Sequence, residues 1–326
     1  MKRDEKVLIT GAGGFIGHHL VKFLKKRGYW VRGVDIKKPE FEKTSADEFL
    51  LLDLRMKNNA DKAVKNIDHA YNLASNMGGV GFIETVRAKI MHDNILIDVN
   101  MLDAACKNNV KRFFYPSSAV VYPSYKKMSK KRGLKEVDVY PALPDNEYGW
   151  EKLFIERLCA DYYIDYGFET RVARFHNVYG PLGLYEGGRE KSPAALCRKI
   201  ALARDGDAIE VWGDGKQARS YCYVDDCVEG IYRLMHSDIH EPINIGSDQL
   251  VTINEFIDIV SKIAGKKIKK RYDLTKPQGA RGRNSDNTKI KKLLGWEPSV
   301  PLEEGVKQTY FWIEKQIKKK KNHSKR

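Results

Sequence analysis

Tyr148 and Lys152 stand four residues apart in "NEYGWEKL", a spacing that puts both side chains on one face of a helix. An ammonium beside a phenol favours the phenolate, so the pair can take a proton from a substrate hydroxyl and hand it back. A second source of hydroxyls is "YPSSAVVYPS", residues 115–124. The run Arg112-Phe113-Phe114-Tyr115 reads as a strand, and Ser117 and Ser118 follow it, so that Ser118 can emerge at the carboxyl end and hold the reacting oxygen. The Val120-Val121 centre offers no chemistry. Alone, Y-x-x-x-K describes many solvated helix pairs and serine at a strand end is a common cap, so the weight of both depends on what stands upstream.

Upstream is "VLITGAGGFIGHHL", with Gly11, Gly14 and Gly17 between a strand and a helix and Phe15 and Ile16 at the helix mouth. Small residues there let the backbone approach a pyrophosphate, whose charge is met by amide N–H groups and the positive end of the helix dipole. The spacing is G-x-x-G-x-x-G rather than the commoner G-x-G-x-x-G. Asp35 ends the second strand about twenty residues on, where a carboxylate hydrogen-bonds the adenosine ribose and repels a 2'-phosphate. Asp53 and Leu54, after the third strand, are placed to meet the adenine edge. Lys37 and Lys38 leave an opening for NADP, but the carboxylate favours NAD.

The elements that must position these groups are legible as alternating strands and helices. Val7 to Thr10, Trp30 to Val34, Glu48 to Leu52, His69 to Leu73 and Arg112 to Tyr115 read as strands, and Ile16 to Arg27 and Ile95 to Lys107 as helices. Such alternation predicts an α/β fold with a Rossmann-type, doubly wound parallel sheet, which binds ligands at the carboxyl ends of its strands. After about residue 180 the chain turns glycine-rich, with a further helix near Ile253 to Ala264. The expected organisation is a dinucleotide domain over 1–180, a smaller C-terminal substrate lobe over 181–317 with segments returning to the first, and a flexible basic tail over 318–326.

Composition narrows the class. The chain has 326 residues, 42% of them hydrophobic, enough for a substantial core. It has no apolar run of the roughly 18 residues that span a bilayer and no signal-peptide core at its start, so a soluble, cytoplasmic protein without a membrane partner is expected. The five cysteines are scattered with no metal-ligand spacing, so reduced thiols and no metal are expected. The net charge of +15 owes six basic side chains to the last nine residues, and the remaining excess suits an anionic small ligand as well as it suits a polyanion; no nucleic-acid partner is expected.

"ITGAGGFIG", "MGGVGFIE", "RFHNVYGPLG", "GGREKSPAALCRK", "WGDGKQARS", "EPINIGSD" and "RGRNSDN", together with the Tyr/Lys pair, resemble the extended short-chain dehydrogenase/reductase family of nucleotide-sugar epimerases and dehydratases. The resemblance covers about residues 6 to 317 and is nearest to the branch that inverts C3 and C5 of a GDP-hexose. It implies an NAD-dependent enzyme, commonly a homodimer through paired helices, that oxidises C4 and exchanges the C3 and C5 protons acidified by the 4-keto group. By motif, Tyr148, Lys152 and Ser118 carry over as the C4 redox apparatus, with Tyr148 and Lys152 also touching the cofactor. Lys191 carries over as the proton donor. Asn177, Lys199, Gln217, Arg219 and Arg283 match positions that hold the sugar nucleotide, the basic ones suiting its diphosphate. Gly78, Ala119, Val120, Glu190, Ser192 and Ala218 complete the implied substrate pocket.

One residue departs from the pattern. Where the family branch reads Ser-Ser-Ala-Cys-Ile-Tyr-Pro, this chain reads Ser117-Ser118-Ala119-Val120-Val121-Tyr122-Pro123, and valine accepts no proton. Three readings follow: a C3/C5 epimerase with a substitute for the thiol; a GDP-hexose or GDP-heptose C4 epimerase or 4-dehydrogenase that needs no such base; and a non-catalytic nucleotide-sugar or RNA-binding protein. Retention of Tyr148 and Lys152 speaks against the third.

Overall fold

In the computed structural model, which describes residues 5–123, 133–276 and 281–323, strand β1 (Lys6–Thr10) enters a glycine turn and leaves it as α1 (Phe15–Lys26). Then come β2 (Trp30–Asp35), β3 (Glu48–Leu51), α2 (Lys57–Val64), β4 (His69–Asn72), the short α3 (Val80–Thr85) and the long α4 (Arg87–Lys107). β5 (Arg112–Ser118), α5 (Glu147–Tyr166), β6 (Thr170–Phe175) and β7 (Val178–Tyr179) follow, then α6 (Ser192–Leu202), β8 (Ala208–Trp212), β9 (Ala218–Arg219) and β10 (Cys222–Tyr223). The remainder is α7 (Val224–Met235), β11 (Ile243–Ile245), β12 (Val251–Thr252), α8 (Ile253–Ala264), β13 (Lys269–Asp273), β14 (Gly282–Arg283), α9 (Thr288–Leu294) and α10 (Leu302–His323).

Seven strands form one parallel sheet in the order β11-β6-β5-β4-β1-β2-β3. β1 and β4 are almost wholly buried, as strands covered on both faces must be. On one face α1 and α7 pack together over a core that includes Val7, Ile9, Leu20, Val224 and Ile231; on the other, α2, α4 and α5 cover Leu8, Ala70, Phe113 and Val172. The smaller strands form a β8–β13 pair, a β7–β10 pair and a three-stranded β12-β9-β14 sheet. α7 and β11 lie in the C-terminal half yet belong to the large sheet, β11 pairing with β6. Among the described residues no helix is long and apolar enough to cross a membrane, and no group of three or more His, Cys, Asp or Glu is set to hold a metal ion.

Three sequence expectations need correction. β5 runs to Ser118 rather than ending at Tyr115, so its two serines alternate in direction: Ser117 is buried and donates to Glu156, whereas Ser118 lines the cleft. α4 begins at Arg87, eight residues before the expected Ile95, because Asp93, Asn94 and Asp98 lie on its buried face and break the apolar period. Of the stretch 318–326 expected to be a flexible basic tail, residues 318–323 are helical, with Lys318 paired to Glu314 one turn back at 2.8 Å, and 324–326 lie outside the described residues. β6 escaped the sequence reading altogether, because it buries two arginines, Arg171 and Arg174.

Arg174 shows why that is tolerated. Its Nη2 and Nε donate to Glu156 at 2.7 and 2.9 Å, and its Nη1 donates to the Glu136 carbonyl at 2.8 Å. Both side chains are under 5% exposed, and they tie β6 to α5 and, through Ser117, to β5. Arg174→Met is expected to cost about 3–5 kcal/mol, because it leaves the Glu156 charge buried without its partner. Urea unfolding checks this, and a loss below about 1 kcal/mol would contradict it.

Candidate active site

The strand order reverses between β1 and β4, and ligands bind at the carboxyl ends of strands at such a switch. A cleft of about 1610 Å³ opens there, between the sheet and the C-terminal lobe. A pocket for one drug-sized ligand is roughly 300–1,000 Å³, so this one has room for two nucleotide-type molecules.

The glycine turn forms one end. Gly11 has φ +65°, and its carbonyl accepts the Gly14 N–H at 2.9 Å. A Cβ on Gly17 would sit 2.2 Å from the Gly11 oxygen, and one on Gly13 2.2 Å from the Lys37 oxygen. No side chain caps α1 and no acid stands in its first turn, so the N–H groups at Phe15, Ile16 and Gly17 face the cleft as an anion cradle. Asp35 is held there by the Gly13 and Lys37 N–H groups at 2.9 and 3.1 Å. Burial pushes its carboxyl up, against those amides. The cradle and the fixed carboxylate fit a dinucleotide. Asp53 and Leu54 line the same end, with the Asp53 carboxylate engaged by Arg55 at 2.6 Å.

At the middle of the cleft α5 presents Tyr148 and Lys152. Asn146 caps the helix by accepting the Gly149 N–H at 3.1 Å, and Ser118 and Val120 lie opposite. The Lys152 Nζ stands 5.7 Å from the centre of the Tyr148 ring and 4.7 Å from that of Tyr115. It is 3.5 Å from Asp98 Oδ2 and 3.3 Å from Glu151 Oε1, all three groups being at most 2% exposed. Burial opposes the ammonium, but the two carboxyls outweigh burial, and Lys152 titrates above its ordinary value. Tyr148 departs from the sequence expectation: burial dominates and pushes its phenol up to about 12, with Lys152 pulling the other way. Ser118 does two jobs, accepting the Val120 N–H at 3.4 Å and reaching the Tyr148 phenol. Val120 packs with Ile83, Ile90, Phe82 and Tyr148 in an apolar wall.

The lobe supplies the other side. Lys191 precedes α6 and lines the cleft, its ammonium pulled down by burial. Arg219 and Arg283 are register partners on β9 and β14. Burial first, then Arg219, push Arg283 down to about 10, a strain that a diphosphate relieves. Asn177 donates to the Ser220 carbonyl at 2.9 Å and meets Arg283 at 3.5 Å. Lys199 instead donates to the Glu210 carbonyl at 2.8 Å, and Gln217 to the Trp212 carbonyl at 2.9 Å, leaving the Gln217 Oε1 without a donor. Glu190 accepts the Gly188 N–H and Ser192 meets Tyr221. The loop after β4 closes on this side: the Gly79 N–H donates to the Arg189 carbonyl at 3.0 Å, and the Arg189 guanidinium stacks 3.9 Å from the Phe82 ring. Gly78, Ala119 and Ala218 are backbone walls, Gly78 being where a Cβ would strike Phe82 at 2.7 Å.

Sequence reasoning missed Gly13, Gly79, Asp98 and Glu151. Gly13 was readable from the doubled glycine in "GAGG", since only one glycine there starts the turn. Asp98 and Glu151 carry no such sign, because a buried polar group on a helix looks in sequence like a solvated one.

A parallel sheet in this order with a glycine cradle, a ribose-directed carboxylate and a Tyr/Lys pair defines a dinucleotide-dependent enzyme of the short-chain type. Residues 7–246 match the family model "NAD dependent epimerase/dehydratase family", and the chain belongs to that family, with NAD as its cofactor. It is 49% identical over 318 residues to GDP-mannose 3,5-epimerase 1 of Oryza sativa subsp. indica, covering 97% of this chain and 83% of that one. It is likewise 49% identical over 319 residues to GDP-mannose 3,5-epimerase of Arabidopsis thaliana, covering 97% and 84%. Among solved structures, UDP-glucose 4-epimerase of Thermotoga maritima with UDP-glucose aligns with a TM-score of 0.86 at 27% identity, over 96% of this chain and 99% of that one.

Asp35→Ala is expected to weaken NAD binding about 10- to 100-fold, the weight of hydrogen bonds to a charged group (~1.5–3 kcal/mol), with the fold kept. Calorimetry on nucleotide-free protein checks the first and circular dichroism the second; NADP as the nucleotide released from purified protein would contradict the role given to Asp35.

Proposed function

We propose that this chain is an NAD-dependent epimerase of a GDP-hexose that works through a 4-keto intermediate, with GDP-mannose as substrate and C3 and C5 as the inverted carbons. The observation that carries the reading is Lys191: a cleft-lining ammonium with lowered proton affinity, near the Arg219/Arg283 pair and in the same cleft as Tyr148. Redox at C4 alone has no use for such a donor. Guanosine and mannose rest on the relatives at 49% identity.

In this mechanism Arg219 and Arg283 hold the diphosphate and fix the hexose across Tyr148. Ser118 hydrogen-bonds the C4 oxygen, and Tyr148 takes the hydroxyl proton as general base, Lys152 offsetting the burial that otherwise keeps its phenol protonated. Bound NAD supplies the acceptor, and later the donor, of the C4 hydride. The resulting ketone acidifies the C3 and C5 protons; water in the cleft takes the proton from the face that Val120 lines, leaving a carbanion, and Lys191 delivers a proton to that carbanion on its own face. Tyr148 then returns its proton to the C4 oxygen. The opposite face carries Val120 rather than a thiol, and that apolar wall favours a second reading, in which chemistry stops at C4.

Two further features are part of the proposal. Trp150 and Phe154 on α5 and Leu96 on α4 are 44%, 49% and 37% exposed, an apolar helical face suited to a homodimer. All five cysteines are free thiols, four of them buried, which suits a reducing compartment such as the cytoplasm.

Turnover of GDP-mannose in deuterated water tests the reading. Deuterium is expected at C3 or C5 by NMR, and Lys191→Met is expected to cut that uptake about 10²- to 10⁴-fold. Inversion at C4 with no label at C3 or C5 would replace this reading with the second. Tyr148→Phe is expected to lose turnover by about 10²- to 10⁴-fold while still binding GDP-mannose; near-normal activity would remove Tyr148 from the mechanism. Val120→Cys is expected to raise deuterium exchange, because it puts a thiol beside the ketone.

A further inference from the structure

Beneath Lys152 lie two buried carboxyl groups for one ammonium. Asp98 comes from α4 and is 1% exposed; Glu151 comes from α5 and is wholly buried. Asp98 is well supplied, accepting from the Asn72 amide at 2.8 Å and from Lys152 at 3.5 Å. Asn72 in turn accepts from Thr10 at 2.8 Å, and Thr10 accepts the Ala74 N–H at 3.0 Å. Glu151 is different. Neither of its oxygens receives a hydrogen bond, although the Lys152 Nζ is 3.3 Å away. An ionised carboxylate only accepts, and burying one without a donor is costly. A protonated Glu151 becomes a donor, and the Asp98 and Glu151 carboxyls, each within 3.5 Å of the Lys152 Nζ, act on each other's proton affinity.

We propose that Asp98 and Glu151 hold a single proton between them and act as one counter-ion to Lys152, so that no net negative charge stands beside Tyr148; Glu151 is a positioning residue. With one shared proton the pair and Lys152 sum to zero charge. With none they sum to one negative charge beside the phenol, which opposes the phenolate. Burial first, then the Asp98 charge against the pull of Lys152, pushes the Glu151 carboxyl up to about 8, so the proton is present at neutral pH and leaves as pH rises through that value. The other titratable groups facing the cluster are Tyr115 from β5 and Cys159 from α5, with Glu156 behind Cys159. Burial keeps Tyr115 and Cys159 neutral, and Glu156 is matched by Arg174.

The inference deepens the role given to Tyr148 above, and its test needs no substrate. Infrared difference spectra, wild type minus variant, isolate the C=O stretch of a protonated carboxylic acid. The band is expected in wild type at pH 7, to fade as pH rises through about 8, and to be absent from both Glu151→Gln and Asp98→Asn, since a lone carboxyl beside Lys152 ionises. The Tyr148 phenol is followed by ultraviolet difference against Tyr148→Phe. In Glu151→Gln it is expected to ionise at lower pH, with an ionisation constant larger by about tenfold or more, because the extra negative charge never forms. No band in wild type, a band that survives in Asp98→Asn, or an unshifted Tyr148 titration would each overturn the proposal. Glu151→Gln has the shape of the protonated side chain; should it not fold by circular dichroism, wild type against Asp98→Asn still decides. Failure to turn over GDP-mannose would sink the functional reading and leave this one standing.

Discussion

A charged ammonium with 2% of its side chain exposed constrains much of this molecule. Lys152 cannot stay charged inside a protein without compensation, so an acid must come to it from a neighbouring element. That acid is on α4, which explains why α4 turns polar residues inward and packs against α5. The Asp98 carboxylate must in turn be held, and Asn72 at the end of β4 and Thr10 at the end of β1 hold it. The chain of donors therefore runs along the carboxyl ends of the two strands where the sheet reverses, beside the glycine cradle. Placing the lysine fixes the mouth of the cleft.

The lobe applies the same physics with the opposite result. Two guanidiniums on paired rungs of β9 and β14 repel each other and are drawn out of water. On the sheet side buried charge is balanced within the protein; on the lobe side the balance is left for a ligand to supply. In the proposed substrate complex a doubly charged diphosphate would lie between a neutral wall and a positive one, and that asymmetry would set the direction of the sugar.

The sheet was readable because its strands are short apolar runs and its turns carry glycine: β1 and β4 begin within one residue of where the pattern puts them. Reading failed where burial and polarity coincide. β6 hides because Arg171 and Arg174 are core residues, and α4 appears short because Asp93, Asn94 and Asp98 interrupt its period. In the site, Tyr148, Lys152 and Asp35 announced themselves by spacing. Glu151 did not, although it adjoins Lys152, because only the three-dimensional packing of α4 on α5 gives that carboxyl a reason to keep its proton. Nor does spacing reveal that burial outweighs the ammonium at Tyr148.

The link between Gly79 and Arg189 joins the two walls of the cleft, and a Cβ at Gly79 would lie 2.5 Å from the Glu190 oxygen. A ketosugar that had lost its C4 hydride would have to part this strap before it could leave. In the proposed reaction such a strap would favour completion over leakage: an oxidised sugar retained through several reversible proton exchanges would leave as products whose ratio reflects their relative stability as much as the order in which they form.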